Sequence, residues 1–411
     1  MADFYQTGLV TTLHRLDHGG LDRIEADLER FRPVLPIGLV LPALYSEFET
    51  PAMHGIVKEL SRVRFLHRIV VALGRANRKQ FDWVQEFFQD SGVQASVIWI
   101  DSAPIQQLLH SLKEIGLTAG PDGKGRSCWL AYGYLLARGD CQVIALHDCD
   151  ILNYSRELLA RLCYPVANPN LGFEFCKGYY ARFNSTMHGR ATRLFVTPLL
   201  RAMDSFCPAN PVLRFLDSFR YALAGEFAMR TNLARVNRIP ADWGLEVGAL
   251  AEVYRNTALS RICQVDLADN YHHKHQELSP GDPAKGLRRM ARDIAKSLFR
   301  TAASEGITLG QDAFRTLRVR YIRMAEDTMD RYYADAMLNG LEFDRHAEEL
   351  ALATFANSLG EAAEDFLADP LGLPLIPNWN RVLSAIPDFF ARLTTAVELP
   401  SEVSAEVACA A

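Results

Sequence analysis

The chain has 411 residues, 49% of them hydrophobic, and a formal net charge of −5. That is apolar material for one large packed domain or two ordinary ones, and it excludes an intrinsically disordered chain. A small negative charge also excludes a global field for nucleic acid or an anionic membrane, so an anionic ligand must be gripped by a local cluster.

Residues 1–35 place Leu21, Ile24, Leu28 and Phe31 at helical spacing, which predicts a leading helix. Ile37-Gly38-Leu39-Val40-Leu41 reads as a first buried strand running into Pro42-Ala43-Leu44. A helix over Met53, Ile56, Val57 and Leu60 follows. Then come a strand over Arg68–Leu73 ending at Gly74, a helix through Phe81, Val84 and Phe87, and a strand over Ala95–Ile100 ending at Asp101. Strand and helix in alternation predict an α/β fold, a sheet flanked by helices.

A helix over about 104–116 leads into Ala119-Gly120-Pro121-Asp122-Gly123-Lys124-Gly125-Arg126, with the next helix expected from Ser127 to Ala137. Glycines let the backbone approach a ligand, and a helix start beside Lys124 favours a phosphate. The Walker spacing is absent, and a solvated loop with one lysine is the plainer explanation of this stretch alone. The strand Val143-Ile144-Ala145-Leu146-His147 then stops at Asp148-Cys149-Asp150. Asp-x-Asp arises by chance in a chain of this length. Its place after a buried strand gives it weight, because ligands of α/β proteins bind at the carboxyl ends of strands. Alternate residues of an extended chain share a face, so both carboxylates can approach one hard cation, Mg2+ or Mn2+, or a metal-bound polyphosphate.

Beyond a helix marked by Leu158, Leu159 and Leu162, the run Gly172–Arg182 alternates like a strand whose polar members Lys177 and Arg182 could face a cleft. Gly189-Arg190-Ala191-Thr192-Arg193 opens an apolar helix and offers backbone donors, a guanidinium and a hydroxyl to a phosphate or carboxylate. Ala224-Gly225-Glu226 and Asp242-Trp243-Gly244-Leu245-Glu246 set carboxylates beside glycine. A strand over Ile262–Leu267 runs into Tyr271-His272-His273-Lys274-His275, where one histidine is a candidate third ligand beside Asp150 and a solvated basic turn is the alternative. From Ser279 the pattern is helical, with segments near 287–298, 311–337, 342–358 and 360–368, a loop around Pro370, Pro374 and Pro377, and a last helix near 379–396. No catalytic constellation shows there, and a structural or oligomerisation role is expected.

The eight cysteines are scattered without a Cys-x-x-Cys pair, mostly inside apolar runs, which fits buried thiols in a reducing compartment. The N-terminus carries no basic region followed by an apolar core, and no stretch approaches ~18 uninterrupted apolar residues. A cytoplasmic protein is expected.

Taken in order, Pro42-Ala43-Leu44, Gly123-Lys124-Gly125, Asp148-Cys149-Asp150, Gly189-Arg190-Ala191-Thr192, Leu223-Ala224-Gly225-Glu226, Gly244-Leu245-Glu246-Val247-Gly248 and Gln264-Val265-Asp266-Leu267 with His272 resemble the glucosyl-3-phosphoglycerate synthase family over roughly residues 37–276. Mannosylglycerate synthase is similar more distantly. The resemblance implies a retaining glycosyltransferase of the GT-A fold, a Rossmann-like mixed sheet that binds a nucleotide sugar. Residues 1–278 would form that domain, with a nucleotide-sugar half at about 36–150 and an acceptor half at about 151–278. Residues 279–411 would form a helical C-terminal region. It further implies that Pro42, Ala43 and Leu44 line the uridine pocket, that Lys124 reaches the donor phosphates, and that Asp148 contacts the ribose or sugar. Asp150 and His272 would ligate Mg2+ or Mn2+, and Glu246 would hold the sugar, with Glu246, Asp148 and Asp150 as the catalytic set. Gly189, Arg190 and Thr192 would grip the acceptor. Tyr45 and Ser46 separate Pro-Ala-Leu from Glu47, so no uracil contact is assigned to Glu47.

The expected reaction moves glucose from UDP-glucose to 3-phosphoglycerate, for synthesis of the compatible solute glucosylglycerate, in a homodimer. Open alternatives are GDP-glucose or GDP-mannose as donor, free glycerate as acceptor, a non-catalytic nucleotide-sugar sensor, and a nucleotidyltransferase. The last would carry a Gly-rich basic loop after the first strand, a place held here by Pro42-Ala43-Leu44-Tyr45-Ser46-Glu47.

Overall fold

A computed structural model describes residues 6, 8–16, 20–206, 210–272 and 276–399. His273, Lys274, His275, Cys207, Cys409 and the Ala/Glu-rich tail lie outside the described residues. Eight strands form one sheet: β1 (Thr11–Leu13), β2 (Ile37–Leu44), β3 (Leu66–Gly74), β4 (Ala95–Trp99), β5 (Val143–Leu146), β6 (Phe175–Tyr180), β7 (Phe227–Arg230) and β8 (Ile262–Ala268). Their spatial order is β1-β8-β6-β7-β5-β2-β3-β4. β7 runs antiparallel to both β5 and β6, and the remaining pairs are parallel, so the sheet is mixed.

β2 reads as an unbroken apolar run because both faces of the sheet are covered. Its period of two remains visible in what each side chain meets. Val40 joins Val70, Ala72 and Ile98 in one apolar cluster, whereas Leu39 and Leu41 join Val71, Leu73 and Val97 in the other. The first cluster contains the helix Lys124–Arg138 and much of the C-terminal helical region, and the second contains the helices Pro51–Leu60, Arg78–Asp90 and Arg156–Ala167.

Several expectations change. The helix expected from Ser127 begins at Lys124, with Gly123 at its N-cap, so the lysine sits in the first helical turn. Phe81, Val84 and Phe88, rather than Phe87, are the buried members of their helix. β1 and β7, too short to show periodicity, are additional strands. The segments at 342–358 and 360–368 are one helix, Arg345–Ala368, which carries Gly360 where a Cβ would meet nothing. The last helix is two, Trp379–Ala385 and Phe389–Glu398.

The helix Gly286–Ser304 packs on both Arg345–Ala368 and Leu245–Asn256, and Gln311–Leu338 packs on Thr197–Phe206. The final helices lie on Lys124–Arg138. There Trp379 stacks on Trp129 with ring centroids 4.0 Å apart, and Nε1 of Trp129 donates to the carbonyl of Pro377 at 2.8 Å. Gly133 makes room for that indole, since a Cβ there would lie 2.2 Å from the Trp379 ring. Among the described residues no helix is long and apolar enough to cross a membrane.

Candidate active site

A cleft of about 850 Å³ opens over the carboxyl ends of β2, β3 and β5. Pro42, Ala43 and Leu44 at the end of β2 line it, with Gly74 and Arg75 from the end of β3 and Asp148, Cys149 and Asp150 just past β5. Arg75 holds a left-handed backbone (φ 54) at this rim, a conformation that costs a non-glycine residue energy and concentrates at functional sites.

Lys124 projects from the first turn of its helix between two carboxylates. Its Nζ lies 2.6 Å from Oδ1 of Asp148 and 3.1 Å from Oε1 of Glu246, the latter in the first turn of Leu245–Asn256. Burial pulls the lysine pKa down, but Asp148 and Glu246 outweigh it and hold the value well above the ordinary one. The ammonium is therefore charged throughout the working pH range. It has three N–H donors, and two are directed at these carboxylates. Gly225 permits this arrangement, because a Cβ there would lie 2.4 Å from Oδ2 of Asp148.

His147 anchors the segment that carries the aspartates. Its Nδ1 lies 3.1 Å from the carbonyl of Asp148 and its Nε2 lies 3.0 Å from the hydroxyl of Tyr154. A carbonyl only accepts, so Nδ1 carries the proton and Nε2 accepts from the tyrosine. Burial pushes the imidazole pKa down to about 4. Beneath the cleft, buried Glu226 accepts from the hydroxyls of Tyr180 and Tyr271, whose rings stack at 3.8 Å. Burial and then Asp148 raise its pKa. Lys177 does not face the cleft: it is 1% exposed, donates to the carbonyl of Ala224, and burial lowers its pKa to about 8. Arg182 does line the cleft, and its guanidinium donates to the Tyr221 hydroxyl at 2.7 Å.

Gly189, Arg190 and Thr192 form another part of the cleft wall. Gly189 takes φ 74, a turn that a Cβ would strain, and its carbonyl accepts from the amides of Thr192 and Arg193. The helix that follows starts with wide π-type turns over Ala191–Val196 before becoming regular at Thr197. Such widened turns favour functional positions. Leu287, Arg289, Met290 and Ile294 close this side from the C-terminal helical region, a contribution that apolar periodicity alone did not signal.

The cleft thus gathers Pro42, Ala43, Leu44, Lys124, Asp148, Asp150, Gly189, Arg190, Thr192 and Glu246. His272 stands apart from its lining, although its neighbour Tyr271 belongs to it. The His272 backbone is tied to Leu152 and Asn153, and its Nε2 lies 3.0 Å from the amide nitrogen of Asn270. Among the described residues no three His, Cys, Asp or Glu side chains gather as a metal site. Glu47, assigned no role from sequence, lines the cleft. Burial, then Asp150 and Asp148, push its pKa up to about 7. That mutual repulsion among carboxylates is a field that a divalent cation would relieve, and the oxygen donors are of the type that Mg2+ and Mn2+ prefer.

A mixed, helix-flanked sheet with paired aspartates past a central strand and a lysine over them defines a GT-A glycosyltransferase. No family model matches the chain. The glucosyl-3-phosphoglycerate synthase of Persephonella marina is 48% identical over 97% of this chain and 98% of that protein. The one from Methanococcoides burtonii is 41% identical over 95% and 96%. The chain belongs to the glucosyl-3-phosphoglycerate synthase family and is a glycosyltransferase. Solved structures of the Mycobacterium tuberculosis synthase share the fold. One with phosphoglyceric acid has a TM-score of 0.53 at 20% identity, covering 74% of this chain and 90% of that one. One with Mn2+, UDP-glucose and phosphoglyceric acid has a TM-score of 0.52 at 20% identity, covering 72% and 88%.

Proposed function

We propose that this chain transfers glucose from UDP-glucose to 3-phosphoglycerate with retention of configuration. The observation that carries the reading is Lys124 held between Asp148 and Glu246 in one cleft with Gly189, Arg190 and Thr192. Relatives named for this reaction, at 48% and 41% identity over nearly the whole chain, support it, as do the mycobacterial complexes with UDP-glucose and phosphoglyceric acid.

Pro42, Ala43 and Leu44 receive the uracil and ribose, and Asp148 orients the ribose or sugar. Lys124 sets its ammonium against the diphosphate as negative charge builds on the leaving oxygen, where a fixed cation in a low-dielectric site is most effective. Glu246 positions the sugar and stabilises oxocarbenium-like charge. Gly189, Arg190 and Thr192 hold the phosphate and carboxylate of the acceptor. Its single free hydroxyl then attacks the anomeric carbon from the face the diphosphate leaves. The bond from that carbon to the phosphate oxygen breaks, the new glycosidic bond forms, and the hydroxyl proton passes to the departing phosphate.

In this proposal Asp150 and His272 would hold the divalent metal. Mycobacterial structures hold Mn2+ or Mg2+ with UDP. When bound, such an ion supplies Lewis-acid stabilisation of the leaving diphosphate. In the same proposal, residues 1–278 form the GT-A unit and residues 279–411 a helical region that completes the acceptor wall. A cytoplasmic location is supported by buried free thiols at Cys128, Cys141, Cys149, Cys163, Cys176 and Cys263. A homodimer belongs to the same proposal. The product would serve as precursor of a compatible solute.

The test is a matched turnover assay with Mg2+, pairing UDP-glucose, GDP-glucose or GDP-mannose with 3-phosphoglycerate or glycerate, and an Asp150→Ala control. Product from UDP-glucose and 3-phosphoglycerate that vanishes in the control is the expected result. Turnover only with a GDP-sugar or with glycerate would replace the donor or acceptor. Nucleotide-sugar binding with no turnover would favour a sensor.

A further inference from the structure

The helix Arg345–Ala368 belongs to the region for which the sequence suggested a structural or oligomerisation role, yet it sends one carboxylate to the arginines beside the cleft. Glu348 is 4% exposed, and its two oxygens are divided between two arginines. Oε1 accepts from Nε of Arg190 at 2.7 Å, and Oε2 accepts from the Arg193 guanidinium at 3.0 Å. Arg193 also donates to the carbonyls of His188 and Met187, with its guanidinium over the Tyr332 ring. Arg190 is different. Glu348 takes its Nε, while the side chain is 37% exposed and lines the cleft. A second tie holds the same loop, because the amide of Glu342 donates to the carbonyl of Ser185 at 2.8 Å.

A carboxylate beside an arginine that grips an anion is electrostatically counterproductive. It cancels one of two positive charges and weakens the attraction that the site exerts. Its value is geometric. A guanidinium is a planar fork, and fixing Nε on one edge presents the terminal nitrogens at a set angle to a carboxylate or phosphate. We infer that Glu348 is a positioning residue for the acceptor: it holds Arg190 in the orientation that receives the acceptor anion, so the C-terminal helical region sets acceptor recognition. This rests on the acceptor assignment of Arg190 made above.

Charge and geometry predict opposite outcomes. Glu348→Gln removes a negative charge, so an electrostatic role alone would leave acceptor KM unchanged or lower it. Positioning predicts that acceptor KM rises about tenfold, with kcat and the KM for UDP-glucose near wild type. The double variant with Arg190→Ala supplies the reading that a merely structural role would not move: once Arg190 is gone, Glu348→Gln adds nothing further to acceptor KM. Should the glutamine variant not fold, Glu348→Asp takes its place in the same cycle. It keeps the charge for Arg193 and shortens the arm by one methylene. An unchanged or lowered acceptor KM, or additive effects in the cycle, overturns the inference while wild-type turnover stands. Wild-type protein that gives no product with 3-phosphoglycerate removes the acceptor assignment and this inference together.

Discussion

The Nζ of Lys124 lies 2.6 Å from Oδ1 of Asp148, joining the first turn of a helix to the segment that follows β5. The pair fixes a charged ammonium over the paired aspartates before any ligand arrives. Lys124→Met should therefore lower kcat for glucose transfer by about 10²- to 10³-fold, the scale of losing one preorganised donor to developing charge. Binding of UDP measured by calorimetry should weaken much less, and an equal loss in both would show that the lysine acts in binding alone.

Asp150 and Thr192 should separate by the kind of defect they produce. Asp150→Ala is expected to reduce kcat by at least about 10³-fold, consistent with loss of a metal ligand. Thr192→Val should raise KM for 3-phosphoglycerate about tenfold and spare both kcat and the KM for UDP-glucose. Steady-state kinetics with each substrate varied in turn distinguishes them. A Thr192 variant defective toward UDP-glucose would move that residue to the donor side.

Gly225→Ala tests how tightly the floor is built. The added methyl would sit 2.4 Å from Oδ2 of Asp148, so the carboxylate must turn away from Lys124. Displacements of this size in a preorganised site cost about 10- to 100-fold in kcat. Thermal denaturation should show a folded protein, because the obstruction is a side chain rather than backbone. Wild-type turnover would show that Asp148 has another productive position.

His147 gives a pH dependence of stability with a defined sign. Its folded pKa of about 4 lies below the usual histidine value near 6.5. Between those values the native state holds fewer protons than the unfolded chain, so stability is complete above about pH 6.5 and is lost as the pH falls toward 4. Going from pH 7 to pH 5 should cost about 2 kcal/mol through this group. Urea denaturation of wild type and His147→Phe at both pH values should show the gap between them narrowing by that amount at pH 5. A gap independent of pH would mean that the imidazole does not titrate differently on folding.

The strands with strong apolar runs, β2, β3, β4 and β5, were legible because burial on both faces leaves a continuous signal. The aspartates past β5 were legible because they end a buried run at the carboxyl edge of the sheet, where α/β proteins bind ligands; Asp101, past β4, instead accepts from the amide of Ala76. β1 spans three residues and β7 four, too few for any period to appear. Lys177 alternated correctly with its neighbours but pointed to a buried niche, since a two-residue period tells which face a side chain takes and not what covers that face. Glu47 was passed over because two residues displace it from its motif. The short helix Tyr45–Phe48 turns it back, so that its carboxylate meets the amide of Leu44. Glu348 gave no local signal at all, because its partners are more than 150 positions away in the chain.

The stacked pair Trp129 and Trp379 has a bearing on how the molecule is made. The helix that presents Lys124 leaves the ribosome some 250 residues before the indole that covers it, and contacts of such long range form late. Until Trp379 arrives, Gly133 leaves an open notch in that helix face. The notch over Gly133 is therefore filled only after the roughly 250 intervening residues have been made, so packing on this face of the helix that begins at Lys124 is completed late.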